Sequence, residues 1–199
     1  MNHIHKVIYV NLDKRSDRRA EMESEFVKLG ISGERFSAIE KKPGIVGCGL
    51  SHLAVLRKAK DEGWPNVMIF EDDFESVVDA TTFHATLTNF FETINDWDVL
   101  MFAYSLEEGR PYNHTFGYVT KATTTAGYIV HQRMYDSLIK VWEDATPKLE
   151  RTGEHWHYAL DQAWKVLQPQ SQWFHCVHRM GKQRASYSDI SYEFMNRGF

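Results

Sequence analysis

Short, mostly apolar runs alternate along this chain with stretches whose apolar residues recur every three or four positions. Residues 6–12, 66–71 and 97–103 are such runs, and their length and composition read as strands buried on both faces. Between them, Ser16 is placed to cap a helix in which Met22, Phe26 and Leu29 share a face, and Gly30 stops it. Leu50, Leu53 and Ala54 mark a second helix over about 46–62, ended by Gly63. Phe83, Leu87 and Phe90 or Phe91 mark a third over about 80–94. Residues 34–37 predict a short strand, 116–121 and 126–130 two strand-like runs, 132–143 a helix and 172–178 a last apolar run. Trp156, Leu160, Ala163, Trp164 and Leu167 form one stripe, which predicts a helix over 155–167. This order implies an α/β fold: a mostly parallel central sheet with helices on both faces. Ligands of such sheets bind beyond the carboxyl ends of the strands.

A length of 199 residues, without repeat or linker, suits one domain spanning 1–199. Within it, one part is expected over about 1–103 and a second over about 104–199. Lys and Arg number 23 against 27 Asp and Glu, a net charge of −4 that argues against a general nucleic-acid binder. A nucleotide needs only local positive charge or a metal, so nucleotide binding stays open. Two cysteines, Cys48 and Cys176, are sparse enough to suggest a reducing compartment. The N-terminus lacks an apolar run, so neither signal peptide nor transmembrane segment is expected, and a cytoplasmic location follows.

The run at 66–71 ends in Glu71-Asp72-Asp73. Three adjacent carboxylates repel one another, and a hard divalent cation with oxygen ligands offsets that charge. In an extended turn Glu71 and Asp73 point one way and Asp72 the other. One pair is then placed for a metal, and the third member for a ribose or for bracing the turn. A solvated acidic turn is the plainer alternative. The phosphoacceptor arrangements of receivers and haloacid dehalogenases need acidic residues after the first strand, where Asn11-Leu12-Asp13-Lys14-Arg15 does not supply them.

Asn11 is suited to a nucleobase edge, Asp13 to a ribose or base donor, and Arg15 and Arg18 to phosphate near a helix start. A capped helix with a solvated face explains the same residues. Gly44, Gly47 and Gly49 would each cost about 1 kcal/mol inside a helix. Close packing or approach to a ligand would justify them, and His52 nearby is placed for a diphosphate or sugar. No phosphate-binding Gly-Lys-Ser/Thr follows. Asp161 lies about 100° around from Leu160, at the edge of the apolar stripe, where it can face a cleft. His155 and His157 stand two apart, the wrong spacing for a helical zinc pair. His175 and His178 fall on opposite faces of a strand, so only one is expected to meet the site.

Val7-Ile8-Tyr9-Val10-Asn11-Leu12-Asp13-Lys14-Arg15 with Arg18-Arg19, then Gly47-Cys48-Gly49-Leu50-Ser51-His52, then Ile69-Phe70-Glu71-Asp72-Asp73, resemble glycosyltransferase family 25. Ala126-Gly127-Tyr128-Ile129-Val130, Asp161 and Ser188-Asp189-Ile190 extend the match in the same order. That family includes lipopolysaccharide galactosyl- and glucosyltransferases and collagen hydroxylysine galactosyltransferases. The resemblance implies a GT-A fold, a UDP-sugar donor such as UDP-galactose or UDP-glucose, Mn²⁺ (or Mg²⁺) and inversion at the anomeric carbon. It implies a lipopolysaccharide, glycan or hydroxylysine-type acceptor. It also implies Asp73, with Glu71 or Asp72 in support and His178 rather than His175, around the metal, and Asp161 as the base. Asn11, Asp13, Arg15, Arg18, Gly47, Ser51, His52 and Asp72 would line the donor. A non-catalytic sugar-nucleotide or glycan binder on the same fold is the alternative.

Overall fold

The computed structural model describes residues 3–187 and 194–195. In chain order its main elements are β1 (Lys6–Asn11), α1 (Ser16–Leu29), β2 (Glu34–Ser37), α2 (Gly44–Asp61), β3 (Asn66–Glu71), β4 (Phe74–Ser76) and α3 (Ala80–Thr93). Then follow β5 (Val99–Pro111), β6 (Phe116–His131), α4 (Tyr135–Thr152), α5 (His155–Tyr158), α6 (Leu160–Ala163), β7 (Trp173–Cys176) and β8 (Gly181–Gln183). Six strands form one sheet in the order β2-β1-β3-β6-β5-β7. Within it β6 alone runs against the rest. The carboxyl ends of β1, β2, β3, β5 and β7 therefore share one edge.

The unbroken apolar strands are explained by cover on both faces. In β3, Val67 and Ile69 join a cluster with Leu53, Leu56, Leu138, Trp142 and Trp164 from the α2–α4 side. Met68 and Phe70 join Met22, Phe26, Phe83 and Leu87 on the α1–α3 side. Burying one such side chain contributes roughly 1.5–3 kcal/mol, so neither face of the strand tolerates polar residues. Among the described residues, no helix is long and apolar enough to cross a membrane.

Several expected elements differ in detail. Ser16 opens α1 without capping it; Arg15 flanks the helix and provides no side-chain cap, whereas Gly30 ends it at φ 61° as expected. The helix expected over 46–62 starts at Gly44 and takes in all three glycines. The two runs at 116–121 and 126–130 are one strand, β6, with a left-handed Thr124 (φ 81°) between them. The helix expected over 155–167 is broken. Ala159 is extended (φ −59°, ψ 148°), which separates α5 from α6. Trp156 is left 58% exposed while Trp164 is fully buried, so the stripe is not one face. Side-chain bonds from elsewhere hold the broken segment: the Trp142 indole donates to the Leu160 carbonyl, and the Trp164 indole to that of Ala122.

Candidate active site

The alternation of β3 carries through its end. Glu71 continues the Val67–Ile69 side and meets α2, where its Oε1 lies 3.4 Å from His52 Nε2. Asp72 continues the Met68–Phe70 side and meets α1. Its carboxylate accepts from the Asn11 amide at 2.7 Å and from Arg18 at 2.9 Å. Arg18 Nη1 also stands 3.8 Å from Asp73 Oδ2. The Arg184 backbone N–H donates to the Asp73 carbonyl at 2.6 Å, which fixes the turn from the β8 side.

Charge follows this division. Burial pushes the Asp72 carboxyl up, and Arg18 and Asn11 only partly offset it. Burial also opposes ionisation of Glu71, but the neighbouring His52 ring and the Thr125 hydroxyl outweigh it and hold the carboxyl below its usual value. Both effects are those expected of partly desolvated carboxylates with close partners.

Asp161 joins from α6. Its Oδ2 accepts the Thr124 backbone N–H at 3.2 Å. The next residue, Thr125, donates its hydroxyl to Glu71. Two successive residues of β6 thus hold the acid of the donor edge and the expected base. Thr124 adopts a positive φ that a β-branched residue rarely takes, which costs of order 1–3 kcal/mol and marks a position imposed by its surroundings. Burial pushes the Cys48 thiol well up, and Glu71, Asp73, Asp161 and Asp72 all add to the rise.

The remaining expected residues are placed as follows. Both Asn11 amide hydrogens are committed inside the protein, to the Arg15 carbonyl and Asp72, and its side-chain oxygen accepts from Arg35. That makes Asn11 a brace between β1, α1 and β3. Asp13 is exposed and pairs with Arg35 and Ser37. Arg15 turns onto Asp17 at 2.8 Å. Gly47 lies against the chain crossing α2: a Cβ there would stand 2.4 Å from the Ile39 carbonyl oxygen. Ser51 is fully buried, donates to the Gly47 carbonyl and accepts from the Ile39 N–H, so it clasps the same crossing. Gly47→Ala is expected to cost about 1–3 kcal/mol through this overpacking, read as a lower denaturation midpoint.

His178 is exposed in the turn after β7. His175 is buried, bonded through Nδ1 to the Tyr104 hydroxyl, beneath Gly117. Ser188-Asp189-Ile190 lie outside the described residues. Among the described residues, the metal-ligating groups gathered within 4.8 Å of one another are Cys48, His52 and Glu71. Cys48, Thr124 and Thr125 are site residues outside the expectations drawn from the sequence. The break in the apolar pattern between 121 and 126 was the one signal pointing to the two threonines.

No protein-family model matches the sequence, and no curated protein does. A solved glycosyltransferase involved in glycosylation of the major capsid of PBCV-1 superposes with a TM-score of 0.55 at 9% identity, over 94% of this chain and 95% of that one. The fold is GT-A-like. Two further solved chains share parts of it more loosely. A197 from STIV has a TM-score of 0.48 at 10% identity, over 86% of this chain and 81% of that one. The glycosyltransferase GlyE of Streptococcus pneumoniae TIGR4 has 0.48 at 9%, over 86% and 45%. In this GT-A-like fold the carboxylates 71–73 sit at the edge where parallel sheets hold their ligands.

Proposed function

We propose that this chain is an inverting hexosyltransferase of the family 25 type. It moves galactose or glucose from UDP-galactose or UDP-glucose to a hydroxyl of a glycan, lipopolysaccharide or hydroxylysine-type acceptor, in the cytoplasm. One observation carries the proposal: Glu71, at the carboxyl edge of the sheet, and Asp161 are held by adjacent residues, Thr125 and Thr124. The donor half, about 1–103, supplies the acids at 71–73, and the acceptor half, about 104–199, supplies the base.

The adjacent carboxylates at 71–73 fit a hard divalent cation, because they are oxygen donors whose mutual repulsion such an ion relieves. Asp73, supported by Glu71 and by His178 from the turn after β7, would hold Mn²⁺ or Mg²⁺. When bound, that ion would neutralise the negative charge that grows on the leaving diphosphate. The protein's own groups do the rest. Arg15 and Arg18, which pair with Asp17 and Asp72, would put positive charge near the donor phosphates at the start of α1. Asp72, held by Asn11 and Arg18, keeps the turn in place. Asp161 takes the proton of the acceptor hydroxyl as that oxygen attacks the anomeric carbon from the face opposite the diphosphate. A single displacement of this kind inverts the anomeric configuration.

A thermal-shift panel of nucleotide sugars tests the donor half of the proposal. UDP-galactose or UDP-glucose is expected to raise Tm in the presence of Mn²⁺, since a ligand that binds only the folded state stabilises it by mass action. Absence of a metal-dependent shift with every donor would sink the proposal. Binding without UDP release across a broad acceptor panel would favour the non-catalytic binder. Asn11 and Asp161 are already engaged within the protein, which is the observation on that side.

A further inference from the structure

We propose that Cys48, His52 and Glu71 form a binding site for a soft divalent cation of the Zn²⁺ type, beside the proposed hard-ion donor site and sharing Glu71 with it. The proposal does not depend on sugar transfer. Cys48 and His52 stand four apart on α2, the spacing that puts two ligands on one helix face. Glu71 reaches them from the end of β3, and the three ligand atoms lie within 4.8 Å of one another.

Two further features favour an ion over a plain hydrogen-bonded cluster. His52 is completely buried, yet among the described residues its Nε2 makes no well-aligned hydrogen bond, its nearest acidic neighbour being Glu71 Oε1. A buried polar atom left in that state normally costs 1–3 kcal/mol. Its 3.4 Å separation from Glu71 Oε1 is long for a hydrogen bond. It is the separation of two ligands that share one tetrahedral ion at about 2.0–2.1 Å each, which stand roughly 3.3–3.4 Å apart.

The surroundings are those of a prepared ligand set. His52 Nδ1 lies 3.0 Å from the Tyr128 hydroxyl, which can accept its N–H and leave the Nε2 lone pair free for the ion. The His52 ring is stacked on Tyr128 at 5.9 Å and set edge-on to Trp142 at 6.2 Å, so its direction is fixed. The Thr125 hydroxyl orients the Glu71 carboxylate. A thiolate and an imidazole beside one carboxylate select Zn²⁺ or Co²⁺ over Mn²⁺ and Mg²⁺. Three protein ligands leave a fourth position open, and partial exposure of Cys48 and Glu71 gives the ion a way in. Binding displaces the Cys48 thiol proton to solvent. Glu71 then serves the inner ion, and a donor ion rests mainly on Asp73.

Cobalt reports on this site directly. The whole chain, freed of metal with a chelator, is titrated with Co²⁺ and followed by absorption, without nucleotide or acceptor. A thiolate-to-cobalt charge-transfer band and intense tetrahedral d–d bands are expected to saturate at one ion per chain. Zn²⁺ should abolish them, and excess Mn²⁺ should not. Cys48→Ser should remove the charge-transfer band, His52→Gln should weaken binding, and Cys176→Ser should leave both unchanged, with circular dichroism confirming that each variant folds. A wild-type spectrum without the charge-transfer band, or a band that survives Cys48→Ser, overturns the proposal. Displacement of Co²⁺ by Mn²⁺ as readily as by Zn²⁺ also overturns it. Failure here leaves the donor thermal shift untouched, and failure of the thermal shift leaves the cobalt spectrum untouched.

Discussion

Asp161→Asn is expected to abolish sugar transfer while leaving donor binding intact. The substitution keeps the size of the side chain and an oxygen that can accept the Thr124 N–H, so the bend of β6 is preserved. It removes the ability to take a proton. A positioned base contributes typically about 10²–10⁴ in rate, and that factor should be missing from kcat. UDP release measured with acceptor present reads the loss, and the Mn²⁺-dependent thermal shift with the donor should be unchanged. Near-normal transfer would mean that the acceptor proton leaves by another route.

Arg18→Met should have the largest effect on stability. Arg18 and Asp72 each expose only 11% of the side chain, and their contact is 2.9 Å. Removing one member of a buried pair leaves an uncompensated charge, at a cost of about 3–5 kcal/mol. Urea denaturation should show a lower midpoint at constant slope. The sign of the pH dependence follows from Asp72. Burial already raises its carboxyl in the intact protein, and loss of Arg18 raises it further. The variant's penalty is therefore full at neutral pH, where the unfolded chain holds Asp72 ionised at no cost. It shrinks as pH falls through the raised folded value, because protonation relieves the folded state. Adding Asp72→Asn to Arg18→Met should recover part of the loss at pH 7, since the two residues are in contact.

Much of the donor edge was legible in the sequence because alternation along a strand is local. Once Val67 to Phe70 are read as buried on both faces, Glu71 and Asp72 must diverge, and they do, to α2 and α1. What escaped was set by partners far along the chain. The stripe from Trp156 to Leu167 has helical spacing, but spacing carries no information about an indole from Trp142 arriving at the Leu160 carbonyl. The glycines before His52 announced a close approach without saying to what. At Gly47 the neighbour is the Ile39 carbonyl. Asn11 has the hydrogen-bonding capacity that a nucleobase edge would use, and only the folded chain shows that Arg15, Arg35 and Asp72 already take it up. Thr124 and Thr125 had no motif at all, since their roles exist only where β6 passes between β3 and α6.

The bend at Thr124 has a consequence for how such a site can be altered. The acid of the donor edge and the expected base are anchored to neighbouring peptide units, so the distance between them is set by a single step of backbone. On the proposed mechanism, substrate choice and reaction rate would then share one adjustable part. A substitution at either threonine should move donor KM and kcat together, and a broader range of acceptors would have to be sought in residues that leave this step alone.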